Sequence, residues 1–167
     1  MIQTGARIHK LVLDGSISID PFVEEQVNPN SYNYRLGPLV RKMNGSKVLH
    51  THDLRGGRLR LEPNTVYLGH TLERIGSSQY VTLLNGRSSL GRLGLFLNYS
   101  ADLGHHGAVH CWTLELMAVQ PLWVYFGMEV GQASFWRVQG DGPIYDGRLG
   151  KFDVPMPADP TDLERKG

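Results

Sequence analysis

From Thr65 to Trp136 the chain is cut into short apolar runs by turn residues. That spacing limits the fold more than any other feature of the sequence. Thr65-Val66-Tyr67-Leu68-Gly69, Gln79-Tyr80-Val81-Thr82-Leu83-Leu84 and Leu95-Phe96-Leu97-Asn98-Tyr99 come first. Cys111-Trp112-Thr113-Leu114-Glu115-Leu116, Leu122-Trp123-Val124-Tyr125 and Val130-Gly131-Gln132-Ala133-Ser134-Phe135-Trp136 follow. Each run is rich in branched and aromatic residues. Runs recurring about every ten residues between Gly, Pro, Asn and Asp read as the strands of an all-β barrel or sandwich.

Upstream the pattern is mixed. Thr4 can cap a short helix over Gly5–Leu13, with Ile8, Leu11 and Val12 on one side and Gly15 ending it. Ser16-Ile17-Ser18-Ile19 alternates as a strand that Asp20-Pro21 breaks. After a turn at Pro29-Asn30-Ser31, a strand is expected through Tyr32, Tyr34 and Leu36, and another over Leu39–Met43 before Asn44-Gly45. Arg55-Gly56-Gly57-Arg58 reads as a polar break with two solvated arginines. Past Gly140 the composition turns to Gly, Pro and Asp. One domain over residues 1–154 and a flexible tail over 155–167 are expected.

The 167 residues suffice for one real core. A net charge of +1 advertises neither a nucleic-acid nor a membrane surface. No apolar run approaches the roughly 18 residues of a membrane span, and no secretory signal opens the chain. The single cysteine, Cys111, precludes an internal disulfide and fits a reducing compartment, so a cytoplasmic location is expected.

Within this frame the stretch Asn85-Gly86-Arg87-Ser88-Ser89-Leu90-Gly91-Arg92-Leu93-Gly94-Leu95 stands out. Gly86 permits close backbone approach, and Arg87 and Arg92 carry planar forks of donors suited to phosphate or carboxylate. Ser88 and Ser89 add short donors. A helix opening at Ser88 would place Arg87 at its mouth and Arg92 about one turn along. This is the composition of a phosphate-handling turn, and equally of a surface loop with solvated arginines.

Four blocks in order resemble the dCTP deaminase branch of the dCTP deaminase/dUTPase family. They are Asn30-Ser31-Tyr32-Asn33-Tyr34-Arg35-Leu36-Gly37, the Gly86–Leu95 stretch, Thr113-Leu114-Glu115-Leu116, and Gly127-Met128-Glu129-Val130-Gly131-Gln132 leading to Phe135. Asn33 stands where the family usually has Asp. The resemblance covers most of the chain, to about Phe152. It implies a homotrimer of distorted, dUTPase-like β-barrels or jelly rolls with a short N-terminal helix and nucleotide sites between subunits. It implies that Arg87, Ser88, Ser89 and Arg92 hold the nucleotide, Ser88 and Arg92 also lining the reaction site. Glu115 would be the catalytic acid/base. Ser100, Ala101 and Asp102 would lie in the segment that reads the pyrimidine, and Tyr145 and Lys151 would be late phosphate contacts. The implied activity is deamination of dCTP, or of a related pyrimidine nucleotide, to dUTP and ammonia.

The chemistry suits these residues. Attack of water at C4 and departure of ammonia need a proton taken and then returned, which one carboxylate can do. Glu115 alternates with Leu114 and Leu116, so it faces a different environment from them. Shelter there would raise its pKa towards neutrality. Zinc deaminases carry H-x-E with P-C-x-x-C, and this chain has neither motif. No catalytic metal is therefore expected, only Mg²⁺ accompanying the triphosphate. His105, His106, His110 and Cys111 match no structural zinc spacing.

Two departures from the family pattern bear on the product. Gly104-His105-His106-Gly107-Ala108-Val109-His110 occupies the place of I-D-P-G-x-x-G, with His105 at the Asp that orients the water attacking the α-phosphorus in diphosphohydrolases. Its loss argues against cleavage to the monophosphate, unless Asp102 substitutes through a loop shift. The glutamine usual after the Lys-aromatic pair is also missing after Lys151-Phe152. A dUTPase-like or bifunctional hydrolase, and a catalytically silent nucleotide-binding trimer, remain the alternatives.

Overall fold

Ile8 and Leu11 are spaced for one helical face, and both are buried where α1 (Gly5–Leu13) lies against the sheets. Thr4 occupies the cap position, but its side chain makes no capping bond. The structure is a computed structural model and describes residues 1–98, 102–140 and 142–145. The expected tail, together with Ser100, Ala101 and Lys151, lies outside the described residues.

After α1 the chain runs through β1 (Ser18–Asp20), β2 (Tyr32–Arg35), β3 (Leu39–Asn44), β4 (Lys47–Asp53), β5 (Arg58–Leu61), β6 (Val66–His70), β7 (Arg74–Gly76) and β8 (Tyr80–Gly86). A single turn of helix, α2 (Ser88–Arg92), then leads to β9 (Leu95–Leu97), β10 (Val109–His110), β11 (Thr113–Ala118), β12 (Leu122–Tyr125) and β13 (Glu129–Arg137). The described strands form sheets ordered β4-β3-β6-β11-β9, β2-β13-β8, β1-β7-β10 and β12-β5. The all-β architecture and the short N-terminal helix follow the sequence expectation. No described helix is long and apolar enough to cross a membrane.

The core is one cluster built from every sheet, with Tyr32, Tyr34, Leu36, Leu114, Leu116 and Phe135 fully buried. In β11 the alternation is clean: Leu114, Leu116 and Ala118 point inward, Glu115 and Met117 outward. In β2 the expected alternation fails, because Tyr32, Asn33 and Tyr34 are all buried. Both faces of that strand are covered, and Asn33 is tolerated inside because every polar atom of its side chain is bonded.

Arg58 is not a loop charge. It sits in β5 opposite Tyr125, with its guanidinium 4.2 Å from the Trp123 ring. Arg55 instead grips Asp53 through its Nε and Nη2.

Gly37 closes the first sequence block for a steric reason: a Cβ there would fall on the ring of buried His70. That ring is fixed as one tautomer. Nδ1 lies 2.9 Å from the Thr71 carbonyl and so donates, leaving Nε2 to accept from Leu39 N at 3.4 Å. Burial holds the imidazole below its ordinary pKa. The unfolded chain therefore takes up a proton that the folded chain refuses, and stability is lost as pH falls through about 6.5. The urea midpoint is expected to drop between about pH 7 and 5, less steeply in His70→Gln. Parallel slopes in the two proteins would remove His70 from this account.

Candidate functional site

The Arg/Ser turn is held between two sheets. β8 brings the chain along β13 as far as Gly86, opposite Gly131, and Arg87 N then donates to the Val130 carbonyl at 3.2 Å. The Arg87 carbonyl accepts from Leu90 N and Gly91 N, which folds α2 and turns the chain into β9. Ser88, Ser89 and Arg92 are exposed, and none of their side chains has a partner among the described residues. Arg92 thus offers a vacant guanidinium one turn beyond Arg87.

Arg87 is not vacant. Its Nη1 donates to Glu129 Oε2 at 2.6 Å, and Asn33 Nδ2 donates to the same oxygen at 2.8 Å. Asn33 Oδ1 in turn accepts from Asn28 Nδ2 and Gln132 Nε2, at 2.7 and 3.1 Å. The first, second and fourth sequence blocks are therefore stitched together across β2, β13 and β8 at one end of that sheet. Sequence reasoning did not foresee this pairing. The only signal was that Asn33, Arg87 and Glu129 each fall in one of the four sequence blocks.

Glu115 lies on the other large sheet. It is exposed on β11, with Leu68 as its cross-strand partner. No described contact joins its carboxylate to Arg87, Ser88, Ser89 or Arg92, and within one chain it is not sheltered. The face around it is apolar: Phe96, Met117 and Val66 line up across β9, β11 and β6 and are 38%, 40% and 45% exposed. An open groove of about 530 Å³, lined by Lys42, Asn44, Asn64, Val66 and Leu68, adjoins this face at the β3–β4 hairpin.

The backbone of Glu115 is clamped by a residue that the sequence did not single out. Asn98 N donates to the Glu115 carbonyl at 3.1 Å, and Glu115 N donates to Asn98 Oδ1 at 2.9 Å. Asn98 has φ +46°, a left-handed conformation in which its own carbonyl turns out of the ladder and the side-chain oxygen takes its place. The strand pairing thus reaches Glu115, one residue past the end of β9 at Leu97.

Asp102 is described, and its segment is pinned along β8. Leu84 N donates to the Asp102 carbonyl and Gly104 N to that of Thr82, both at 2.8 Å. His105 is exposed and its ring stacks on Tyr145 with centroids 5.8 Å apart, while Tyr145 N donates to the His106 carbonyl at 3.0 Å. Tyr145 thereby lies against the turn that carries His105 and His106. Cys111 is buried, which pushes its thiol pKa up. Among the described residues no three of His, Cys, Asp and Glu come together as a metal-holding group.

A family model described as dCTP deaminase-like matches residues 2–138. A curated relative from Clostridium acetobutylicum, named dCTP deaminase, dUMP-forming, is 39% identical over 155 residues, covering 87% of each chain. One from Rhodopirellula baltica, named dCTP deaminase, is 39% identical over 150 residues, covering 86% of this chain and 75% of its own. The crystal structure of 2'-deoxycytidine 5'-triphosphate deaminase from Agrobacterium tumefaciens matches with a TM-score of 0.69 at 24% identity, over 80% of this chain. This chain spans about half of that one, 47%. The match shows that the chain shares the fold of that deaminase over the aligned part.

Proposed function

The chain belongs to the dCTP deaminase-like family, and from that premise we propose that it hydrolyses the C4 amino group of dCTP at a site shared between subunits of a homotrimer. The observation that carries the activity is the 39% identity over 155 residues to a dCTP deaminase. The shared site is supported by the Glu115 carboxylate making no described contact with Arg87 or Arg92 of its own chain. The exposed Phe96, Met117 and Val66 beside Glu115 support it further, since such a patch is where a second copy would cover the carboxylate.

In this reading Glu115 takes a proton from water as the water oxygen bonds to C4. It then gives the proton to the amino group as the C4–N bond breaks, so that ammonia leaves and a C4 carbonyl remains. Ser88 and Arg92 line the reacting end, and Arg87, Ser89, Tyr145 and Lys151 face the phosphates. Ser100, Ala101 and Asp102 supply the segment that reads the base. Mg²⁺ enters as the counterion of the triphosphate, and no step is routed through it.

The product is dUTP. His105 replaces the carboxylate that would orient a second water, and the β8 bonds hold Asp102 in its own register instead of letting it shift. A second reading, cleavage onward to dUMP and pyrophosphate, is favoured by the dUMP-forming name of the Clostridium acetobutylicum relative. Incubation of the protein with Mg²⁺ and either dCTP or dUTP, following ammonia, dUMP and pyrophosphate, separates them. Ammonia and dUTP from dCTP, with dUTP left intact, are expected. dUMP appearing as fast as ammonia would establish the second reading, and no product at all would leave a nucleotide-binding protein.

A further inference from the structure

The two arginines of the phosphate turn differ in one respect that the residues alone do not reveal. Arg92 is unpartnered among the described residues, whereas Arg87 already holds an anion. The Arg87–Glu129 pair is only partly exposed, at 33% and 37%. Glu129 is not a loose surface carboxylate that happens to fall nearby. It opens β13 immediately before a register shift between Glu129 and Gly131, and the same oxygen that accepts from Arg87 accepts from Asn33. Asn33 cannot swing away. Its side-chain oxygen is taken by Asn28 and Gln132, and its carbonyl accepts from Gln26 Nε2 at 2.6 Å. A buried amide with every group engaged therefore presents a carboxylate to Arg87 as a fixed anion.

We propose that Glu129 is a specificity-determining residue for the phosphate end of the nucleotide, an internal anion that competes with substrate phosphate for the Arg87 guanidinium. An incoming phosphate must displace Glu129 from Arg87 or share the guanidinium with it, and it meets the carboxylate's charge while doing so. The gain on binding is the difference between two anions on one guanidinium, not the whole of a charge-assisted pair. The effect rises with the charge of the ligand's phosphate chain. It leaves the unpaired Arg92 as the arginine that binds phosphate without such competition. The inference rests on the reading of Arg87 as a phosphate ligand.

Calorimetric titration of the full chain with inorganic tripolyphosphate isolates the phosphate end from base recognition. Titration with dCTP and with dCMP then tests the dependence on ligand charge. Glu129→Gln keeps the side chain's shape and an oxygen for Asn33 while removing the charge, and its melting temperature checks that the fold is kept. Tripolyphosphate is expected to bind the variant about three- to tenfold more tightly than the wild type, with a larger gain for dCTP than for dCMP. Arg87→Ala should weaken tripolyphosphate, and adding Glu129→Gln to it should then change nothing more. Unchanged or weaker binding by Glu129→Gln, with Arg87→Ala still harmful, overturns the competition and leaves Arg87 as a ligand. Unchanged binding by Arg87→Ala removes the ligand reading itself, and the inference with it.

Discussion

Glu115→Gln should lower ammonia release from dCTP by about a hundred- to ten-thousandfold while leaving dCTP binding within a few-fold. The amide keeps the shape and the Asn98 clamp, which bonds only to the Glu115 backbone. What it loses is the basic oxygen that takes the proton from water and returns it to the leaving nitrogen. A variant that keeps more than about a tenth of wild-type turnover would remove Glu115 from the role of proton shuttle. The same protein tests how the site is assembled. Glu115→Gln and Arg92→Ala should each be inactive alone. After the two are mixed and allowed to re-assort, about a quarter of the sites should contain both native residues. Activity reappearing to that extent supports a site built across chains. Confirmed re-assortment with no activity would place both residues in one chain's site, or remove one of them from it.

Gly131→Ala should be severely damaging, costing about 3 kcal/mol or more of the roughly 5–15 kcal/mol that stabilises a domain. Gly131 is buried in β13, and a Cβ there would land on the Tyr34 phenol and against the Asn85 carbonyl. Tyr34 is fully buried and donates to that same carbonyl at 3.1 Å. The ring therefore cannot retreat without leaving a buried hydroxyl unsatisfied, which adds to the overpacking. Gly56→Ala is the matched control, because nothing lies within 4 Å of its added Cβ. Urea midpoints that fall equally in the two variants would mean that the Gly131–Tyr34 contact is not tight.

The strands that bury an apolar face could be read from the sequence, as could the helix. Gly5–Leu13 and Leu122–Tyr125 have the expected bounds, because their apolar residues recur at the right period and turn residues flank them. β4 was not legible. Its residues Lys47–Asp53 are mostly exposed, and it is held by pairing with β3, a long-range fact that leaves no apolar pattern in the strand itself. β7 and β10 are too short to show a period. Arg58 read as a solvated charge because its partner Trp123 is distant in sequence and reached only through the β5–β12 register. The site divides in the same way. Glu115, Arg87 and Arg92 were visible as residue types in motifs. The Arg87–Glu129 bond spans 42 positions and required the strand register of β8 on β13. Asn98 was invisible for another reason: its role depends on a left-handed backbone that composition does not announce.

The bond from Asn33 to Glu129 has a consequence for what residue 33 can be. Asn33 can face a carboxylate at 2.8 Å because its amide donates. With an aspartate at 33, the same geometry would set two carboxylates against each other, and one of them would have to hold a proton. Asparagine and aspartate are close in shape, but beside Glu129 they are not interchangeable. The amide keeps position 129 ionised, and an acid in its place would tie the charge of this corner to pH.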